Sequence, residues 1–242
     1  MTNTSPEYVR EIEHTLFHTN RQLQLLLNKH HPGASYVHIE EIAGMDPRER
    51  QVAPTLDGVR HDHKARYEYV VSELGPFERV LDIGCGVGYG SSILHTAGFE
   101  VWAMDIDANA IEFAKQYFPG PHYIHGDLRS FTAETMPDGT PTNVDAVTIF
   151  EVLEHVPRGV AVDLLRHVPA PYVYCSVPNE TYLPFDKAGA PFHERHYTEE
   201  EFRALLQDAG LKVQLLKHQE GPYSDVGLTP GRTLVARCVR ED

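Results

Sequence analysis

The segment Glu151-Val-Leu-Glu-His-Val156 sets two carboxylates and an imidazole side by side, just after an apolar run over 144–150 that reads as a buried strand. Charged groups in that place call for an ion cluster, an acid–base pair or a metal site. Glu151, Glu154 and His155 are spaced i, i+3, i+4, which one helical turn brings to the same side. Pro157 is poor inside a helix and good in its first turn. The sequence therefore predicts a tight turn over 151–155 and a new helix from about residue 157. Further along, Pro191-Phe-His-Glu-Arg-His-Tyr-Thr198 supplies His193 and His196 just before a helix start. Carboxylates with imidazoles and no thiolate suit a divalent ion, with a lean toward the harder ones. Without an ion, His155 or His193 is the general-base candidate, and Glu154 completes the candidate catalytic group.

A second motif is Val-Leu-Asp-Ile-Gly-Cys-Gly-Val-Gly-Tyr-Gly over 80–90, with Asp82, Gly84, Cys85, Gly86 and Gly88. A glycine-rich turn from a strand into a helix lets a ligand approach the backbone. Asp105 ends the next predicted strand, where an acidic side chain can accept ribose hydroxyls, and Asp127 follows a third. The loop has no basic residue and is led by an aspartate, which favours a ligand with a positive amino or sulfonium group over a nucleotide phosphate.

These motifs closely resemble class I S-adenosylmethionine-dependent methyltransferases over about residues 60–240. The resemblance implies that the glycine loop cradles the amino-acid end of S-adenosylmethionine, that Asp105 with Ile106 holds the ribose, and that Asp127 and Leu128 border the adenine. Phe150 belongs to the same implied site. Glu-x-x-Glu-His, with a histidine five residues before a helix-starting threonine, resembles the metal site of small-RNA 3′-end 2′-O-methyltransferases. Carried over, it implies Glu151, Glu154, His155 and His193 as ligands of Mg²⁺ or Mn²⁺; His196 does not match that pattern. The segments around 150–156 and 191–202 also resemble ubiquinone-pathway O-methyltransferases and bacterial methyltransferases associated with glycan synthesis. The lead-in over 49–86 resembles the glycan-associated group, which implies that a helix carrying His63, Arg66 and Tyr67 closes over the cofactor.

The elements that must position these residues alternate. Strands are predicted over 79–83, 100–106, 122–127, 144–150 and 172–177, with helices over 88–97, 108–118 and 158–168 between them. That alternation means a parallel sheet. A helix over 198–210 carries a Thr198–Glu201 capping box and a glycine stop. Segments 212–218 and 233–239 pair as an antiparallel hairpin, giving a Rossmann-like, seven-stranded mixed sheet. Ahead of it, 1–75 forms a helical extension, and 76–242 is the S-adenosylmethionine-binding catalytic domain. The apolar spacing over 6–30 fits an amphipathic helix packed on its own domain; a homodimer seam is the alternative.

Composition narrows the partners. The 242 residues carry a formal net charge of −14, which disfavours a nucleic-acid backbone as the main partner. A small molecule or glycan bearing a hydroxyl is the expected substrate. The three cysteines, Cys85, Cys175 and Cys238, are far apart and odd in number, which fits a reducing, cytoplasmic compartment. No apolar run reaches the length of a membrane span.

Overall fold

The computed structural model describes residues 45, 50–75, 78–132 and 134–240. The expected helix over 6–30, and with it the dimer seam, lies outside the described residues.

The described residues form seven strands: β1 (Arg79–Ile83), β2 (Glu100–Asp105), β3 (His122–His125), β4 (Ala146–Phe150), β5 (Tyr172–Pro178), β6 (Leu211–Gln219) and β7 (Thr233–Arg240). They form one sheet in the order β3-β2-β1-β4-β5-β7-β6. The first five run parallel. β7 lies antiparallel between β5 and β6, so the expected hairpin closes the sheet's far edge. The helices are α1 (His61–Glu73), α2 (Tyr89–Thr96), α3 (Ala108–Tyr117), α4 (Arg158–His167) and α5 (Glu199–Asp208). Among the described residues no helix is long and apolar enough to cross a membrane.

Side chains alternate across the sheet with a period of two. Leu81, Ile83, Val147, Ile149, Val173, Cys175 and Val177 enter one apolar cluster with Leu164 and Leu165 of α4 and Phe202, Leu205 and Leu206 of α5. Val80, Val101, Ala146, Phe150, Tyr174 and Val235 enter the other, with Tyr67, Tyr69 and Val70 of α1 and Leu94 of α2. Both faces are covered, as a parallel sheet requires.

The second cluster moves the domain boundary. Helix α1 stands in one compact unit with the sheet, Asp46–Asp242, so the division expected at 75/76 falls inside that unit. The reason is packing: Tyr67 and Val70 are 5 % and 0 % exposed, and a helix that buries such residues against the sheet's own layer belongs to its core.

Three local devices aim the site. Asp107 caps α3 by accepting from Asn109 N and Ala110 N. Thr198 and Glu201 form the predicted capping box at the head of α5. The tight turn after β4 is a 3₁₀ turn over Leu153–His155, two residues shorter than expected.

Candidate active site

The glycine loop leaves β1 and is tied at once to β2: Gly84 N and Cys85 N both donate to Met104 O, at 2.8 and 3.0 Å. Gly84 has φ 73°, and a Cβ there would lie 2.3 Å from Val152 Cγ2, so only glycine lets the turn after β4 rest on the loop. Gly86 has φ 55°, and a Cβ there would meet no atom within 4 Å. The backbone at Gly86 is thus the open face, where a ligand can approach closely. Gly84, Cys85 and Gly86 line a cavity with Tyr67, Arg66, Phe150 and Glu151. Gly88 does not line it; it heads α2, under Tyr123 and Ala114. Burial, then Asp105 and Asp82, push the Cys85 thiol well up.

The four aspartates of the region divide by role. Asp82, expected at the cofactor, has no exposed surface. It accepts from Ser91 Oγ at 2.6 Å, Thr148 Oγ1 at 2.7 Å and Tyr67 Oη at 3.2 Å. Burial pushes its carboxyl up to about 6 against those hydrogen bonds. It braces β1, β4, α1 and α2 from beneath the loop and does not face the cavity, because three hydroxyls enclose it. Asp105 is the loop's fastener: Oδ2 accepts from Gly86 N at 2.8 Å and Oδ1 from Asp107 N at 2.9 Å. Arg50 Nη1 lies 3.2 Å from Asp105 Oδ1 and 3.5 Å from Asp107 Oδ2. Asp127 caps the short turn Leu128–Ser130 and pairs with Arg129, whose Nε donates at 2.8 Å. Leu128 is half-buried, and Ile106, at the end of β2, is 54 % exposed. An exposed isoleucine at the carboxyl edge of a parallel sheet is an apolar shelf where such folds take a ligand.

The cavity wall carries paired charges. Arg66 is buried, and its Nη1 lies 3.0 Å from Glu151 Oε1. Ser176 Oγ donates to the same oxygen at 2.8 Å. His63, also on the wall, is bonded to Tyr89 Oη at 2.8 Å; burial, then Arg66, lower it to about 3, so it is neutral. A guanidinium and a carboxylate beside open glycine backbone complement a zwitterion, the form of the amino-acid end of S-adenosylmethionine.

Glu151 therefore departs from its expected place. Among the described residues it is the only non-glycine with positive φ, 55°, a backbone state that costs about 1–2 kcal/mol and tends to occur where function over-determines it. The 3₁₀ turn begins only at Leu153, so Glu151 stands outside it and turns toward Arg66. The buried guanidinium needs a counter-charge, and Glu151 supplies it. Of the four expected ligands, the other three are the ones that converge.

Those three do meet. Candidate ligand atoms of Glu154, His155 and His193 lie within 4.8 Å of one another. Glu154 has no exposed surface, and both its carboxylate oxygens lack a hydrogen-bond partner among the described residues. Burial, then the charge of Glu151, push its carboxyl well above the usual range. His155 Nε2 lies 3.9 Å from Glu154 Oε1, while its Nδ1 is 3.1 Å from Phe192 O. A carbonyl only accepts, so Nδ1 carries a proton, and in the neutral ring Nε2 then holds the lone pair. The His155 and His193 rings meet edge to face, with centroids 4.6 Å apart. Burial, then His155 and His196, lower His193 to about 3. Glu194 N donates to Glu154 O at 2.7 Å and fixes the histidine loop to the turn. A buried, unpartnered carboxylate beside imidazole lone pairs fits a cation.

A family model described as a methyltransferase domain matches residues 58–216. The chain belongs to that family. It is a class I S-adenosylmethionine-dependent methyltransferase, as the loop and sheet order imply. A ubiquinone biosynthesis O-methyltransferase of Xanthomonas campestris pv. campestris is 31 % identical over 168 residues, 62 % of this chain and 69 % of that protein. Two solved structures share the fold. Magnesium protoporphyrin IX methyltransferase from Synechocystis PCC 6803, with bound S-adenosylmethionine, superposes with a TM-score of 0.55 at 22 % identity, over 74 % of this chain and 80 % of that one. The methyltransferase domain of bacterial CtHen1-C gives 0.55 at 18 % identity, over 74 % and 99 %.

Sequence reasoning passes over Arg50, Tyr89, Ser176 and the role of His196. Arg50 stands in an irregular lead-in without periodicity. Tyr89 is in the glycine motif itself, and its place on the cavity wall is open to inference from that position. Ser176 follows from the register that sets it opposite Phe150, which no sequence pattern prints.

Proposed function

We propose that this methyltransferase methylates a hydroxyl oxygen of a small molecule or glycan, at one of two adjacent hydroxyls, with Mg²⁺ or Mn²⁺ held by Glu154, His155 and His193. The observation that carries this reading is the buried Glu154 carboxylate, neither oxygen hydrogen-bonded among the described residues, beside two imidazoles. When bound, such an ion lowers the pKa of an attached hydroxyl and favours a diol or catechol over a lone alcohol. The name of the Xanthomonas relative supports oxygen as the acceptor atom. A formal charge of −14 weighs against an RNA 3′ end, and three buried free thiols fit a reducing, cytoplasmic setting.

The chain's own groups divide the work. Arg66, Glu151 and the open backbone at Gly86 hold the amino-acid end of the cofactor. Asp105 takes its ribose hydroxyls, and Ile106 with Leu128 borders its adenine. Fixing donor and acceptor in one line contributes much of the rate, since the sulfonium methyl is already activated. With no ion bound, His155 Nε2 is free to accept the acceptor's proton.

That last feature also favours a second reading, in which His155 serves as base with no ion. One experiment separates the two. Turnover on a panel of diols and catechols is measured in excess EDTA and after Mg²⁺ or Mn²⁺ is restored. The expected result is loss and recovery; unchanged turnover in EDTA would sink the cation and leave the base.

A further inference from the structure

We infer that His196 is a positioning residue that fixes the tautomer of His193, turning the Nε2 lone pair of His193 toward Glu154 and His155. The inference rests on the reading of that cluster as the cation site.

A chain of hydrogen-bond polarities leads from the main chain to His193. His196 Nδ1 lies 2.7 Å from Leu183 O. The carbonyl can only accept, so His196 carries its proton on Nδ1. A neutral His196 then offers a lone pair at Nε2. His193 Nδ1 stands 2.9 Å from that nitrogen, so the proton between the rings belongs to His193. With Nδ1 used, His193 has only Nε2 left for the cluster, and Nε2 is unprotonated. His155 repeats the device with one step fewer, since its Nδ1 reaches a carbonyl directly. Both imidazoles are thereby set as lone-pair donors before anything binds.

The alternative tautomer shows why this matters. An imidazole in water favours the proton on Nε2. Left to itself, His193 would point an N–H at the cluster, where it cannot ligate. The surroundings of His196 hold its ring in place for this role. It is 6 % exposed, and its ring lies 5.3 Å from that of Phe185. Partners behind a ligating histidine fix its tautomer and orientation, and their loss typically costs 10–100-fold in metal affinity. The ligand pattern alone does not reveal His196, because that pattern specifies which residues ligate and not what stands behind them.

The test uses the full chain with ¹⁵N-labelled histidine, as wild type, His196→Phe and His196→Gln. Phenylalanine keeps the packing and removes the acceptor. Glutamine restores an acceptor for His193 and a donor for Leu183 O. Long-range ¹H–¹⁵N spectra of the ion-free protein read the tautomer, and Mn²⁺ titration reads the affinity. In wild type His193 should be protonated on Nδ1. In His196→Phe the proton should move toward Nε2, with Mn²⁺ affinity down about tenfold or more, and His196→Gln should recover both. An unchanged His193 tautomer in His196→Phe, a wild-type proton on Nε2, or a glutamine variant no better than phenylalanine would overturn the inference. The two ideas fail separately. A wild type that binds no Mn²⁺ refutes the cation site while the spectra still decide the tautomer; equal Mn²⁺ affinity with an unchanged tautomer refutes the role of His196 alone.

Discussion

Asp82 and Glu154 are both fully buried carboxyls at the carboxyl side of the sheet, and both are held above the usual acid range. Their surroundings are opposite. Asp82 is met by hydroxyls from α1, α2 and β4. Glu154 is met by no hydrogen-bond donor among the described residues. The first is a finished joint, and its role is to hold four elements under the glycine loop. The second carries a burial cost that outweighs the relief from Arg66, and such costs gather at binding sites. Burial of a charge alone does not separate scaffold from site; the count of its donors does.

The largest effect should come from breaking the joint. Asp82→Ala leaves three buried hydroxyls without their acceptor and should cost about 3–5 kcal/mol in urea unfolding. The same residue should show a pH signature. Its folded pKa, about 6, is raised above the unfolded value, so its stabilisation is complete below about pH 4 and is lost as pH rises through 6. Wild-type stability relative to Asp82→Asn should fall by roughly 3 kcal/mol over that window. A flat difference would mean that the carboxyl is ionised throughout and the joint is better satisfied than it looks.

Glu154 should answer in the opposite sense. Glu154→Leu replaces an unpartnered carboxyl with an apolar group of similar size, so unfolding should shift toward higher stability by about 1 kcal/mol. Turnover should fall about 100-fold or more, as removing an electrostatic group from a reaction centre does. A destabilised Glu154→Leu would place this residue with Asp82 and erase the contrast. The smallest effect belongs to the helix that follows the histidine loop. Thr198→Ala removes the capping box and should cost about 1 kcal/mol, lowering the thermal midpoint with little change in turnover.

Much of this fold is legible in the chain. Val80, Leu81 and Ile83, or Ala146, Val147 and Ile149, are apolar runs too short for helices and bounded by turns, and β1 and β4 lie where those runs predict them. Thr198 and Glu201 announce α5 by a local exchange of hydrogen bonds, so a single turn of chain suffices to read it. The glycine loop is legible for the same reason. Glu151 is not, because its direction depends on a φ of 55° and on a guanidinium 85 positions upstream in α1. Asp82 reads in the chain as facing a ligand, since nothing local marks that Thr148 and Tyr67 close over it. His196 fails a ligand pattern, and a residue behind a ligand has no fixed spacing to match. Contacts formed within one turn are readable; contacts formed by sheet register and helix docking are not.

The turn from Phe150 to His155 is a party wall. Phe150 and Glu151 face the cavity beside the glycine loop, and Glu154 and His155 face the histidine cluster. Six consecutive residues serve two rooms, so a substitution that suits a new acceptor there would disturb the cofactor next door. Divergence toward other acceptors is thereby channelled away from this turn and its histidine loop and into segments such as 220–232. A lineage of such enzymes would keep its donor chemistry fixed while its acceptors wander.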